Sequence, residues 1–243
     1  MTPRLGEIWV YLAASPLLGL ALTLIAYQAA FAIYQRSGGH PLANPVLLAI
    51  TALVSLLWLT GTPYQTYFEG AQFVHFLLGP ATVALAIPLY AQMGKLMRMA
   101  VPLLAALLIG SLTAALSAVT IGSLLGASNA TLLSLAPKSV TTPIAMGIAE
   151  RIGGLPSLTA VLVIITGILG AIGARYVYQL LNIRDHAVRG FAMGIASHGI
   201  GTARAFQESE ETGAFAALAM GLNGLATALL LPLVMPHVMA WLR

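Results

Sequence analysis

Residues 131–149 read TLLSLAPKSVTTPIAMGIA, and their reading decides what kind of fold the chain adopts. The stretch is apolar at both ends, yet Pro137, Lys138, Ser139, Thr141, Thr142 and Pro143 fill its middle. Proline removes a donor from the helical ladder, and a lysine at membrane depth is costly. Inside lipid every backbone polar group needs a partner, so an interrupted helix persists only where protein or a water-filled cavity surrounds it. The spacing therefore predicts a re-entrant or broken helix over residues 131–151 of a membrane protein.

The flanks support this. Residues 99–125 before it and 158–181 after it are clean apolar runs long enough for a bilayer core of about 30 Å. Further out, residues 8–34, bounded by Trp9, Tyr11 and Tyr34, and residues 45–59 read as spans. Residues 71–93 read as a span interrupted by Gly79-Pro80 and Pro88. Residues 191–206 are a short one holding Ser197, His198, Gly199, Gly201, Thr202 and Arg204, and residues 214–241 are the last. Residues 61–70, with Tyr64, Tyr67 and Glu69, read as interfacial, and Lys95 with Arg98 as a basic loop. The expectation is an all-α polytopic protein of about seven transmembrane helices plus the re-entrant segment. It forms a single integral membrane domain over residues 1–243.

Composition agrees. Hydrophobic residues make up 59% of the chain and charged residues 7%, against about 25% charged in a soluble domain. Mean hydropathy is +0.91. The net charge of +4 reads as loop lysines and arginines facing anionic headgroups, not as a nucleic-acid surface. Absence of cysteine excludes disulfides and thiolate chemistry. The first residues do not read as a cleavable signal, because Glu7 follows Arg4 and no small-residue cleavage site ends the apolar run.

Lysine and arginine bias predicts orientation. With Arg36, Lys95 with Arg98, Arg184 with Arg189, and Arg243 inside, and the acidic loop of Glu208, Glu210 and Glu211 outside, the N-terminus is outside and the C-terminus inside.

A weak internal repeat adds to the pattern. Gly79-Pro80-Ala81-Thr82 and Gly199-Ile200-Gly201-Thr202 share glycine and threonine at matching positions, each downstream of a histidine, His75 or His198. Residues 44–126 and 157–241 become candidate inverted repeats, the pattern of transporters whose sites lie where interrupted helices meet.

Several residues are candidates for chemistry. Thr142 can cap a half-helix with Pro143 in its first position; Gly79-Pro80 allows the same reading; Thr202 can cap another. Helix N-termini at membrane depth offer free N–H groups and partial positive charge. Two such ends near Lys138 or Arg204 suit a small anion, with a carboxylate as natural guest. Plainer readings stand beside these. Proline and glycine set kinks, Lys138 can snorkel, Arg204 can anchor a helix end beside Glu208, His75 can pack, and Glu150-Arg151 can be an interfacial pair. Glu150 and His198 are the coupling candidates, since His198 can titrate near neutral pH. No enzyme signature, metal-ligand spacing or phosphate-binding loop is found, so neither catalysis nor a cofactor is expected.

Three stretches carry a resemblance. Ser134-Leu-Ala-Pro-Lys-Ser-Val-Thr-Thr-Pro-Ile-Ala-Met146 closely resembles the signature of the LrgB/CidB family of bacterial membrane proteins. Residues 78–90 (LGPATVALAIPLY) and 196–205 (ASHGIGTARA) look like its other motifs. The resemblance runs from about residue 45 to the end and implies a multi-pass protein of the bacterial inner membrane. It implies two functional readings. One is regulation of murein hydrolases, holin- or antiholin-like, with an LrgA/CidA-type membrane partner. The other is transport of a small carboxylate, as in the plastid glycolate/glycerate translocators and pyruvate-linked bacterial relatives. The interrupted segments favour a monocarboxylate transporter working by alternating access, with protons as candidate coupling ion. Thr82, Lys138, Ser139, Thr141, Thr142, His198, Thr202 and Arg204 are the expected substrate-binding residues. Lipid surrounds the chain, and homo-oligomerisation stays open.

Overall fold

The structure, a computed structural model, describes residues 16–242, without the side chains of Pro16, Pro41, His75 and Leu78. Trp9, Tyr11, Arg243 and the packing role expected of His75 thus lie outside the described residues. The chain is all-helical there, and five helical stretches are long and apolar enough to cross a membrane. It is a multi-pass membrane protein. Two compact units divide it between Ala84 and Leu85.

The first unit holds α1 (Pro16–Arg36), a 3-10 turn (Pro41–Ala43), α2 (Pro45–Thr60), α3 (Tyr64–Phe76) and α4 (Leu78–Ala84). Asn44 starts α2: its side-chain oxygen accepts from the Val46 and Leu47 N–H groups at 2.9 and 3.1 Å, with Pro45 in a position that needs no donor. Gly61 ends it at φ 65. Gly19 lets α1 meet α3, since a Cβ there would stand 2.4 Å from the Tyr67 carbonyl oxygen. The stretch 61–70, read as interfacial, is mostly helical from Tyr64 on, and Gly79-Pro80 lies inside α4 instead of opening it.

The second unit holds α5 (Ala86–Ala91), α6 (Met93–Leu124), α7 (Asn129–Leu135), α8 (Thr142–Ile152), α9 (Pro156–Leu180), α10 (His186–Glu208) and α11 (Glu210–Trp241). Lys95 and Arg98 begin α6 and are not a loop. At about 1.5 Å per residue, α6, α9 and α11 each exceed the bilayer core.

Helix α10 does not cross, contrary to the reading of residues 191–206. It turns back at His198, whose backbone sits at φ 42, ψ −134. A straight helix would hold Arg189 and Glu208 roughly 28 Å apart, yet they form an ion pair. His186 Nδ1 lies 3.2 Å from Ser209 Oγ and 2.9 Å from Thr212 Oγ1. Both ends of α10 therefore meet, and the element is a helical hairpin with its tip at His198.

A similar return joins α7 and α8. The chain breaks over residues 136–141, then α8 runs back. The Leu155 N–H donates to Ser134 Oγ at 2.7 Å, and Thr159 Oγ1 donates to the Ser134 carbonyl at 3.0 Å. A Cβ on Gly154 would stand 2.9 Å from the Leu133 carbonyl carbon.

Ion pairs fix which ends lie together. Lys95 bridges Asp185 at 3.0 Å and Glu211 at 2.8 Å, joining the starts of α6, α10 and α11. At the other end Arg151 and Leu133 line a cavity with Pro236 and Met239. The acidic loop thus shares an end with Lys95 and Arg189, which corrects the orientation read from charge. Following the chain, the α7–α8 hairpin enters from the end where α6 finishes, and the α10 hairpin from the end where α6 starts. Val140, Ala145 and Ile148 of the first pack with Val119, Val163 and Met235; Phe191 and Ile195 of the second pack with Leu103 and Phe215.

Candidate functional site

Asn223 lies roughly midway along α11 and is 1% exposed. Its Nδ2 donates to the Ser139 carbonyl at 3.3 Å and to the Ile195 carbonyl at 3.1 Å. The first acceptor belongs to the break between α7 and α8. The second precedes the His198 turn, where the i to i+4 partner of a continuous helix is lost. One buried amide thus satisfies carbonyls freed by both hairpins. Thr227 Oγ1 donates to Asn223 Oδ1 at 3.4 Å and lies 3.2 Å from Ser111 Oγ, tying α6 into the same network.

The second tip is seated on α9 by two glycines. His198 is 4% exposed, and its Nε2 is 2.9 Å from the Val163 carbonyl. Since a carbonyl only accepts, Nε2 carries a proton. A Cβ on Gly167 would stand 2.7 Å from His198 Cε1, and one on Gly170 would stand 1.8 Å from Ser197 Oγ. A methyl at either place would have to displace the His198 ring or the Ser197 hydroxyl.

The first tip supplies a cation. Lys138 Nζ donates to Ser139 Oγ at 3.2 Å. Thr141 and Thr142 follow at the start of α8. The first-turn N–H groups there have no intrahelical acceptor and carry partial positive charge. Ammonium, hydroxyls and helix start form a polar junction inside an apolar bundle, suited to an anion.

Residues 23–237 match the LrgB-like family. The chain belongs to that family. YwbG and YxaC, uncharacterized proteins of Bacillus subtilis, are 36% identical to it over 90% and 88% of this chain and 97% and 93% of their own length. The antiholin-like protein LrgB of Bacillus cereus is 30% identical over 92% of this chain and 97% of its own. No solved structure matches. The names of these relatives denote no enzyme.

In this LrgB-like chain the structure gathers only part of the expected site. Lys138, Ser139 and His198 share the junction, with Thr141 and Thr142 next to it. Thr202, 4% exposed, donates from Oγ1 to the His198 carbonyl at 2.8 Å and lies 3.8 Å from Met220 Sδ. It braces the tip and does not cap a half-helix, because the break falls at His198 and not at Gly201. The cap of α8 falls on Thr141, without a side-chain cap bond, so Thr142 occupies the first helical position. Arg204 lies on the return arm of α10, bonded to Gln207 Oε1 at 3.1 Å, and lines a cavity at the Lys95 end, not the junction. Glu150 is exposed on α8 near the opposite end, and Thr82 is exposed on α4 of the first unit. Among the described residues, no three His, Asp or Glu side chains are grouped to hold a metal. Asn223 was missed; its signal is a lone amide in the middle of the apolar run 214–241.

Proposed function

We propose that this LrgB-like chain carries small monocarboxylates, of the pyruvate and glycolate class, across the bacterial cytoplasmic membrane by alternating access. One observation supports this most: two hairpins enter from opposite ends and meet at Asn223, beside the Lys138 ammonium. Interrupted helices meeting at mid-membrane are the usual place for a carried substrate. Lys138 attracts the carboxylate; Ser139, Thr141, Thr142 and the start of α8 orient it; His198 and Thr202 shape the facing tip. His198 is the coupling residue if protons drive transport. Arg204 and Glu150 are not part of this cluster. The reading assigns no catalysis and no cofactor.

The test is uptake of labelled pyruvate, glycolate and lactate into liposomes holding the purified chain, with and without a pH gradient. Saturable uptake that Lys138→Ala abolishes, with insertion intact, is the expected result. Uptake unchanged by Lys138→Ala removes that residue from the site.

A second reading is favoured by the relative named antiholin-like: a regulator of lysis acting with an LrgA/CidA-type membrane partner. It expects no uptake by the chain alone, and lysis phenotypes that survive mutation of Lys138 and His198. Adding the partner to the liposomes separates a carrier that needs it from a regulator that does not transport.

A further inference from the structure

Three side-chain oxygens from two helices stand together inside the apolar bundle of the second unit. Ser111 lies near the middle of α6, and Asn223 and Thr227 lie one turn apart near the middle of α11. They are 7%, 1% and 4% exposed. Ser111 Oγ is 3.2 Å from Thr227 Oγ1, which is 3.4 Å from Asn223 Oδ1. A hydroxyl hydrogen bond prefers about 2.7–2.8 Å. Elsewhere in the chain Thr23 with Tyr67, Ser128 with Thr131, and Ser209 with Thr212 keep to 2.8, 2.9 and 2.7 Å. The buried three are spaced more widely than hydrogen-bond partners.

Their orientation is the second observation. Thr23, Thr51, Thr60 and Thr202 each donate to the carbonyl four residues back, at 2.7, 2.8, 2.8 and 2.8 Å. Thr227 makes no such bond and turns toward Ser111 and Asn223 instead. The Asn223 amide nitrogen is committed to the Ser139 and Ile195 carbonyls, so its oxygen is fixed toward Thr227. Ser111 and Thr227 also border a cavity of about 10 Å³, lined otherwise by apolar side chains such as Leu112, Ala115 and Leu231. That is room for about one water molecule.

We propose that this cluster is a sodium-binding site. A sodium ion, close to calcium in size, takes roughly six oxygens at about 2.4 Å, which sets neighbouring ligands of its shell about 3.4 Å apart. The observed 3.2 and 3.4 Å match that spacing. Potassium, being larger, needs its oxygens further apart. Three neutral oxygens with no carboxylate among them leave the second charge of a divalent ion uncompensated, so a monovalent ion fits. The side chains supply three positions of the shell, and the small cavity admits water to another. Asn223 joins the cluster to both hairpins, and interrupted helices are where transporters hold coupling ions. Binding here does not rest on the carrier reading.

The experiment uses the purified full chain in neutral detergent, with choline chloride holding ionic strength constant. Equilibrium binding of radiolabelled sodium is measured, with unlabelled sodium or potassium as competitor. Saturable binding that sodium displaces far better than potassium is expected in the wild type. It should persist in Thr113→Val, which removes an exposed α6 hydroxyl outside the cluster, and in Thr227→Ser, which keeps the ligand. Ser111→Ala combined with Thr227→Val should weaken binding on the order of tenfold or more. If the double variant loses its helical circular dichroism, Ser111→Ala alone takes its place. No saturable binding in the wild type means that the oxygens hold water only, and overturns the proposal. Displacement by potassium as readily as by sodium, or binding that the cluster variants leave unchanged, overturns it as well.

Discussion

At the scale of single residues, the fold turns on who donates to two stranded carbonyls. Asn223 answers Ser139 and Ile195 from one side-chain amide. Asn223→Leu keeps the volume and removes the donor, leaving both acceptors buried. The expected cost is about 1–3 kcal/mol, read as a lowered midpoint in thermal unfolding in detergent, with carrier activity lost. An unchanged midpoint would mean that the carbonyls find other donors. The glycines of α9 make a sharper comparison. Gly167→Ala places a methyl against the His198 ring and breaks its bond to Val163, at about 1–3 kcal/mol. Gly173→Ala, on the same helix with nothing within 4 Å of the added Cβ, should instead stabilise by about 0.5–1 kcal/mol. Equal effects of the two would remove the argument that α9 is a seat for the tip. Lys138 and His198 were legible in the sequence because charged and titratable groups are rare in an apolar chain. Asn223 was not, since a lone amide in a membrane helix usually bonds a neighbouring helix without special consequence.

At the scale of elements, the hairpins show what composition can and cannot convey. The break at Pro137 to Pro143 was readable because proline removes donors locally. The reversal of α10 was not: residues 191–206 contain no proline, and a turn at His198 rests on the fit against Gly167 and Gly170, two residues of another helix. The misplaced acidic loop has the same origin, because its partner Lys95 lies more than a hundred residues away in the chain. That partnership predicts a pH effect at the Lys95 end. Lys95, and the Val188 N–H that Asp185 caps at 3.0 Å, hold the Asp185 carboxyl below its ordinary value of 3.8. A depressed carboxylate contributes stability that is fully present above that ordinary value and lost as pH falls through the lower, folded one. Wild type should therefore lose thermal stability relative to Asp185→Asn below about pH 4. The two should run parallel between pH 5 and pH 7. The effect is small because the pair is half exposed. Curves that stay parallel down to pH 3 would show that the bridge contributes nothing.

At the scale of the whole molecule, charge and hairpins together set an orientation. Lys95, Arg98, Arg184 and Arg189 gather at the end where α6 and α10 start, while Arg151 lies at the other. Cytoplasmic ends carry the excess of lysine and arginine, and acidic residues weigh little in that rule. The Lys95 end is therefore expected inside, and α11 then carries the C-terminus outward, the reverse of the reading that set the acidic loop apart. The chain contains no cysteine, so each introduced one is a unique reporter. Arg98→Cys, exposed near the start of α6, should react with a membrane-impermeant maleimide only once the cytoplasmic face is opened. Arg151→Cys, exposed at the end of α8, should react in intact cells. Opposite labelling of the pair in the reversed sense would keep the hairpins opposed but invert the orientation. Labelling of both from one side would break the picture itself: α9 could not then connect two hairpins entering from opposite faces, and a substrate at Asn223 would have access from one side alone.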